Sequence, residues 1–250
     1  MPSRGLVVLT LCAAAGAAFL LGLGVWQLQR LEWKNGIIAQ IEARTKAPPI
    51  SLKEAVARAR AGEDVSYLRV QVEGRFDNAK ERYFYTILDG KIGWHVIAPL
   101  TTPEGEVVLV DRGFVPDGLK DPATRPQGEL EWPVTITGLA RQPEAQGRFI
   151  PDNEPEHNRW FWRDLGGLAA SMFGASAPPI APFLLEAEPD DIPGGWPLGG
   201  QTRLDIPNDH LQYAITWFAL AFCLLVIYVV FVRSRLRPPG PPVAGAASGS

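Results

Sequence analysis

Of the three histidines in the chain, His210 is the strongest candidate for a functional residue, because it begins a long apolar stretch. Tyr213, Ala214 and Trp217 follow at the three- and four-residue spacing that places side chains on one face of a helix. A neutral imidazole is a standard axial ligand of haem iron, and an apolar helix beside lipid suits a porphyrin. The residue pattern by itself favours a simpler interpretation, an interfacial histidine near an N-cap, here Asn208. The residue pattern alone leaves both interpretations open.

The other two histidines have simpler interpretations. His95 lies in the segment GWHVIAPL, which predicts a strand, and we interpret it as a half-buried residue with a hydrogen bond. His157 lies among Asp152, Glu154 and Glu156, which follow no metal-ligand spacing. We therefore interpret that segment as a solvated acidic loop.

The composition argues against several other functions. Cys12 and Cys223 are the only cysteines, and both lie in apolar segments, so the middle of the chain has no disulfide framework. Copper sites would require cysteine or clustered methionine, but the only methionines are Met1 and Met172, so we expect neither copper nor zinc. No hydrolase, phosphate-binding or zinc-protease motif is present, which indicates a protein without catalysis. A net charge of −3 without a basic cluster argues against nucleic acid as a partner.

Two apolar segments, 6–28 and 210–232, are long enough to cross a bilayer as helices. The predicted divisions are a cytoplasmic N-terminus (1–5), the first transmembrane helix (6–28), an exported periplasmic domain (29–209), the second transmembrane helix (210–232) and a disordered cytoplasmic tail (233–250). Ala14, Ala18 and Gly22 recur at four-residue spacing, which predicts a surface for close approach of another helix, although alanine is also a common filler.

The flanking charges predict the orientation. Arg233, Arg235 and Arg237 follow the second apolar segment, and Arg4 precedes the first. Because long loops cross membranes largely regardless of their charge, we expect both termini in the cytoplasm and the middle outside. Only five residues precede the first segment, which favours a bacterial inner membrane over an organelle import route.

Between the two apolar segments the hydrophobic period is that of strands. Alternating or apolar runs bounded by turn residues predict strands within 67–76, 82–100, 106–116, 132–141 and 182–189, with Asp89-Gly90 as a hairpin turn. The segment 32–63 is predicted to be helical: it continues the first anchor helix out of the membrane, is broken at Pro48-Pro49, and resumes with Ser51 as a cap. A short helix is also predicted in 160–172. We predict an α+β domain with a mainly antiparallel sheet, curled or closed into a small barrel, with helices at its margin.

The pair Asp111-Arg112 at a strand end is interpreted as structural.

Five stretches of the chain resemble motifs of the Surfeit locus protein 1 family and occur in the family's order. They are GVWQLQRLEWK, VLVDRGFVP, PDNEPEHNRWFWRDL, PGGWPLGGQTR and NDHLQYAITWF, and they extend from Gly24 to about Leu220. The resemblance implies two transmembrane helices with an exported domain between them. It also implies a non-catalytic role in the assembly of cytochrome c oxidase.

The resemblance also implies a cofactor. The family's proposed haem ligand is the histidine of the HLxYxxTW stretch, which here is His210. The implied role is to supply or retain haem a during maturation of oxidase subunit I, with subunit I, the haem a synthesis machinery and membrane lipid as partners. The alternative is a haem-free membrane chaperone that stabilises a subunit I intermediate through its exported domain.

If haem binds, both helices are expected to contribute to an aromatic-walled slot at the outer membrane interface. The predicted cofactor-binding residues are His210, Tyr213, Trp217, Trp26 and Arg30, with His210 as the iron ligand. Arg30 or Arg203 would pair with the haem propionates through charge-assisted hydrogen bonds.

Overall fold

The structure is a computed structural model that describes residues 4–202 and 204–236. The described residues fall into two compact units. One consists of two long helices and contains the chain up to Ile38 and from Ile206 onward, and the other is a β-rich unit spanning Ala39–Asp205. The predicted propionate partner Arg203, the flanking Arg237 and the rest of the predicted tail lie outside the described residues.

The long helices are α1 (Arg4–Lys46) and α4 (His210–Leu236). Both are long and apolar enough to cross a membrane, and they contain the two segments predicted to do so. Helix α1 continues beyond the transmembrane segment that ends at residue 28 and stops at Lys46, just before Pro48, so the predicted extension of the first anchor helix is confirmed. Its final turns, from Ala39 onward, belong to the β-rich unit.

The two long helices pack through small residues spaced seven apart. Ala17 and Gly24 are buried on α1, and Ala214 and Ala221 are buried on α4. At Gly24 the ring of Phe218 lies so close that an added Cβ would be 2.6 Å from the ring carbon Cε1. A seven-residue repeat is the pattern expected where two helices cross at a shallow angle and stay in contact over several turns.

This packing surface is not the one predicted from the spacing of small residues. Ala14, Ala18 and Gly22 are all exposed, and nothing lies within 4 Å of a Cβ added at Gly22. The small residues that are buried between the helices recur every seven residues, not every four. Gly24 is one of them because the bulky ring of Phe218 lies directly opposite it and leaves no room for a side chain. The prediction of close helix approach therefore named the wrong face of α1.

The β-rich unit is a closed five-stranded barrel. Its strands are β2 (Arg69–Phe76), β4 (Lys91–Thr101), β5 (Val107–Pro116), β6 (Val134–Arg141) and β7 (Ile180–Ala187). They pair in the order β2–β6–β7–β5–β4, and the ring closes where β4 meets β2. The short strand β1 (Ile50–Ser51) extends β2, and β3 (Arg82–Leu88) extends β4 as a hairpin. Of the two predicted forms, the barrel is the one observed.

Most of the predicted strands and the hairpin turn are confirmed. Asp89 and Gly90 connect β3 to β4, and both have positive φ angles, 50° and 76°, as the favoured two-residue hairpin turn requires. The sheet is mainly antiparallel as predicted, but β5 pairs with β7 in parallel and β1 with β2 in parallel. The α+β class and the two flanking apolar helices are confirmed.

Two shorter helices lie against the barrel. Helix α2 (Leu52–Arg60) begins at Ser51, whose hydroxyl accepts a hydrogen bond from the Glu54 amide at 3.2 Å, so the predicted cap is confirmed. Helix α3 (Leu165–Phe173) begins five residues later than predicted. The reason is that Trp160 pairs with β3 instead: its carbonyl accepts from the Tyr85 amide at 2.7 Å.

The barrel interior is filled by apolar side chains, mostly aliphatic, from all five strands and from α2. Its members include Val56, Val70, Leu100, Val110 and Leu185, each at most 3% exposed. Burying such side chains contributes roughly 1.5–3 kcal/mol each relative to leaving them exposed.

The close contact at Gly24 generates a test of the helix packing. Gly24→Ala would force the Phe218 ring and the two helices apart, with an overpacking cost of about 1–3 kcal/mol. Spin labels on the native cysteines, Cys12 on α1 and Cys223 on α4, are both at exposed positions and report the helix separation by pulsed electron resonance. We expect Gly24→Ala to lengthen or broaden the measured distance. Gly22→Ala is the matched control and should not change it.

Candidate functional site

The candidate site is at the start of α4, where the chain is tied to α1 by polar side chains. Lys34 donates to the backbone carbonyl of Pro207, and the Asn208 side-chain amide donates to Asn35 Oδ1 at 2.8 Å. His210 is the first residue of α4 and is half-buried. These contacts fix where α4 begins and therefore where the imidazole lies along α1.

The imidazole of His210 has one side-chain partner among the described residues. Its Nδ1 lies 2.7 Å from Oε1 of Gln27, which is on α1. An amide oxygen can only accept a hydrogen bond, so Nδ1 carries the proton and donates it. In a neutral ring the remaining nitrogen, Nε2, then has a free lone pair, and it forms no hydrogen bond with any residue that the structure describes. This is the arrangement found in histidines that bind metals through one nitrogen and are oriented through the other.

The other predicted aromatic residues differ in how far they are buried. Trp217 is half-buried, two helical turns along α4. Tyr213 and Trp26 are 56% and 50% exposed, and no ring contact joins either of them to Trp217 within residues 4–202 and 204–236. The aromatic slot therefore stays a prediction.

Arg30, the predicted partner of an anionic group, forms a cation–π contact with an aromatic side chain. Its guanidinium carbon lies 4.2 Å from the centre of the Trp33 ring. This cation–π contact does not use the N–H groups of the guanidinium, which can donate hydrogen bonds to a carboxylate. This geometry is compatible with the predicted role of Arg30.

The donor set at His210 fits a haem better than a bare metal ion. A porphyrin supplies four nitrogen ligands to its iron, so one imidazole nitrogen from the protein is sufficient. A bare zinc or copper ion would require three or four protein ligands. In the part of the chain that the structure describes, no group of three or more His, Cys, Asp or Glu residues could hold a metal ion.

Gln27 was not among the residues predicted to bind. It lies within the stretch GVWQLQRLEWK, next to Trp26, but on the face of α1 that carries the buried Gly24 three residues earlier. The sequence feature that indicates Gln27 is a polar amide side chain on the same helix face as a glycine, within an otherwise apolar helix. Recognising its role also requires knowing which residues of α4 lie opposite it, and the sequence does not give the register between the two helices.

In the barrel, His95 is half-buried and hydrogen-bonded, as predicted. Its Nδ1 lies 2.9 Å from each carboxylate oxygen of Asp111, which is on the neighbouring strand β5. Asp111 is 3% exposed and is the register partner of Glu186 on β7. Glu186 in turn lies 2.7 Å from the guanidinium of Arg163. The result is a row of charges on the outer face of three strands, in which two adjacent carboxylates, Asp111 and Glu186, lie between the basic groups His95 and Arg163.

Each residue of the stretch Asp111-Arg112-Gly113 has its own structural contact. Arg112, 5% exposed, pairs with Glu81 at 3.2 Å. Glu81 also pairs with Arg125, whose side chain is 2% exposed. Gly113, at φ 114°, lies where a Cβ would be 2.0 Å from the Leu198 carbonyl oxygen. Buried ion pairs of this kind are costly to break, because removing one partner leaves an uncompensated charge.

His157 lies at the surface of the barrel unit. It is 71% exposed at the side chain and lies 3.8 Å from Glu154. Nothing in this loop brings a second histidine to it, which agrees with the interpretation of a solvated segment.

The pKa of His95 is shifted by its surroundings. Burial alone would lower this pKa, but the charge of Asp111 and its hydrogen bond raise it above the ordinary 6.5. Arg163 opposes this increase and Glu186 adds to it. Conversely, burial would raise the pKa of Asp111, but the proximity of His95 and Arg163 holds it below its ordinary value. The pair therefore favours a charged imidazolium beside a charged carboxylate.

These features define a class of protein with two membrane-type helices, a five-stranded barrel between them in sequence, and one oriented histidine at a helix start. Comparison with known proteins identifies the family. Residues 14–222 match the model of the SURF1 family, so the chain belongs to the SURF1 family, as the motifs predicted.

Individual relatives agree with that assignment. The chain is 38% identical over 237 residues to Surfeit locus protein 1 of Homo sapiens, covering 88% of this chain and 75% of the relative. It is 36% identical over 234 residues to Surfeit locus protein 1 of Mus musculus, covering 87% and 73%. It is also 36% identical to a SURF1-like protein of Monosiga brevicollis, covering 88% of both chains.

The His95–Asp111 pair generates a test by pH. A histidine whose pKa is raised by folding stabilises the folded state at low pH, and this stabilisation is lost as the pH rises through the folded-state pKa. We therefore expect the unfolding free energy of the barrel, measured with urea on the full chain in micelles, to fall as the pH rises above 6.5. His95→Gln should remove this decrease, whereas His157→Gln should retain it. An equal decrease in wild type and His95→Gln would contradict the assignment.

Proposed function

We propose that this chain is a membrane-anchored assembly factor for cytochrome c oxidase that holds haem a through His210 while subunit I matures. Membership of the SURF1 family and the resemblance of its motifs support the oxidase role. The observation that carries the haem role is the orientation of His210, with Nδ1 bound to Gln27 and Nε2 free. The partners we propose are subunit I and the machinery that makes haem a.

In this proposal the protein binds and orients the cofactor without changing it. Bound haem a would supply an iron centre that accepts the lone pair of His210 Nε2. Trp217 is half-buried on the same face of α4 and offers an apolar wall. Arg30 can donate hydrogen bonds to an anionic edge while it keeps its cation–π contact with Trp33. No residue is assigned an acid–base or nucleophilic role, so we propose no catalysis.

The competing proposal, a haem-free chaperone of a subunit I intermediate, has its own supporting observation. At the tip of the β3–β4 hairpin, Ile87 and Ile92 are register partners and are 56% and 54% exposed. Phe149, in a separate loop, is 92% exposed. Exposed apolar side chains of this kind suit contact with another protein. Whether the purified protein carries haem separates the two proposals.

We propose that the protein resides in a bacterial inner membrane with both ends of the chain in the cytoplasm. Two helices of sufficient length and apolarity support the membrane location. Arg233 and Arg235, at the end of α4, support a cytoplasmic position for that end. The barrel between the helices would then face the periplasm.

The haem proposal is tested by one substitution. Protein purified from cells that make haem a should show a Soret band, and His210→Ala should abolish or strongly shift it because the iron loses its proposed protein ligand. His95→Ala, which changes a histidine in the barrel, should leave the band unchanged. A wild-type protein without a Soret band would favour the haem-free chaperone, and an unchanged spectrum in His210→Ala would show that another group binds the iron.

The orientation has a separate test. A reporter that is active only in the cytoplasm should be active when it is fused after Ser250 and inactive when it is inserted near Gly118, in the barrel unit. The opposite pattern of activities would overturn the proposed orientation.

A further inference from the structure

We infer that Gln27 is the positioning residue for His210: its amide oxygen selects the imidazole tautomer that leaves Nε2 available as a ligand. The inference rests on the proposed function for its cofactor, but the tautomer itself is a property of the protein alone. It is drawn from the 2.7 Å contact between His210 Nδ1 and Gln27 Oε1.

A neutral histidine has two tautomers, and a solvated imidazole exchanges between them. A fixed acceptor at Nδ1 removes this freedom, because only the tautomer protonated at Nδ1 can donate to it. The same hydrogen bond limits rotation of the ring about its side-chain bonds. The ligand nitrogen is therefore prepared before any cofactor arrives, which reduces the ordering that binding requires.

The position of Gln27 follows from helix packing. Gln27 is half-buried on the face of α1 that includes Gly24, where the ring of Phe218 comes closest. The neighbouring polar contacts, Lys34 to Pro207 and Asn208 to Asn35, hold the start of α4 against the same face. Contacts between α1 and α4 therefore flank Gln27 both before and after it along α1, so its amide lies between the two helices.

An amide is also a chemically distinct choice from a carboxylate. A carboxylate at this position would draw the Nδ1 proton more strongly and make the imidazole a more strongly donating ligand. The neutral amide orients the ring with less effect on its basicity. Such a ligand suits a protein that holds a haem and later releases it to another protein.

The chain contains a matched control for this inference. Gln29 is two residues further along α1, has the same side chain, and is exposed. Gln27→Leu removes the acceptor without adding charge to an apolar helix, and Gln29→Leu makes the same change outside the contact with His210. Gln27→Glu restores an acceptor at the same position and serves as the rescue variant.

The first measurement uses the cofactor-free full chain in lipid nanodiscs at one fixed pH. With nitrogen-15 histidine, three imidazoles give signals, and His210 is assigned by its absence in His210→Ala. Nitrogen chemical shifts distinguish the two tautomers. We expect His210 to be protonated at Nδ1 in wild type, Gln29→Leu and Gln27→Glu, and to be a mixture of tautomers in Gln27→Leu.

The second measurement adds haem a to the same proteins. Loss of a hydrogen-bonding partner of a metal ligand typically weakens metal binding by roughly 10- to 100-fold, and we expect a weakening in this range for Gln27→Leu. Gln27→Glu should recover binding but shift the reduction potential of the bound haem downward, because the ligand becomes more strongly donating. A residue that only packed the helices would not give this recovery together with a changed potential.

The outcomes separate this inference from the proposed function. If His210→Ala binds haem a with an unchanged spectrum, the proposed ligand is wrong whatever Gln27 does. If His210→Ala loses the haem but Gln27→Leu retains the wild-type tautomer and affinity, the positioning role alone is overturned. A mixed tautomer in wild type would also overturn it.

Discussion

The hydrogen bond between Gln27 and His210 is the contact on which the rest of the helix unit depends. A polar ring at the start of an apolar helix must satisfy its N–H group, since leaving it unpaired away from water is costly. Gln27 satisfies it at 2.7 Å from the other helix. The Gln27 side chain can contact His210 because α1 and α4 approach closely at Gly24, where the Phe218 ring occupies the space that a side chain at position 24 would fill. One small residue and one amide thus set the position of the only oriented imidazole in this unit of the described chain.

The barrel unit is subject to a different constraint: its outer face carries buried charged side chains, and each needs a group of opposite charge beside it. Asp111 and Glu186 are register partners on adjacent strands, where two like charges would repel each other. His95 and Arg163 compensate for them on either side. A second set, in which Glu81 lies between Arg112 and Arg125, serves the same purpose nearby. These pairs explain why a charged sequence such as VLVDRGFVP can form a fully paired barrel strand, and they require no catalytic role for it.

The sequence predicts the features that depend on local patterns. The two apolar helices, most strands, the Ser51 cap and the Asp89-Gly90 turn follow from periodicity and from the conformations that each residue prefers. Ring closure between β2 and β4 and the parallel pairing of β5 with β7 do not, because they join segments far apart in the chain. Helix α3 starts late for the same reason, since pairing with β3 overrides the local preference at Trp160. Within the site, His210 was found from its residue type and from the family motif, whereas Gln27 becomes visible only when the second helix is placed against the first.

The central claim is that His210 Nε2 is the protein ligand for the iron of haem a. The most direct measurement is pulsed electron resonance on the oxidised, haem-loaded protein in which His95 and His157 are replaced by glutamine, so that His210 is the only histidine. We predict a hyperfine coupling to a histidine nitrogen that changes in the expected ratio when histidine is labelled with nitrogen-15. A loaded protein with no coupling that responds to the histidine label would contradict the claim.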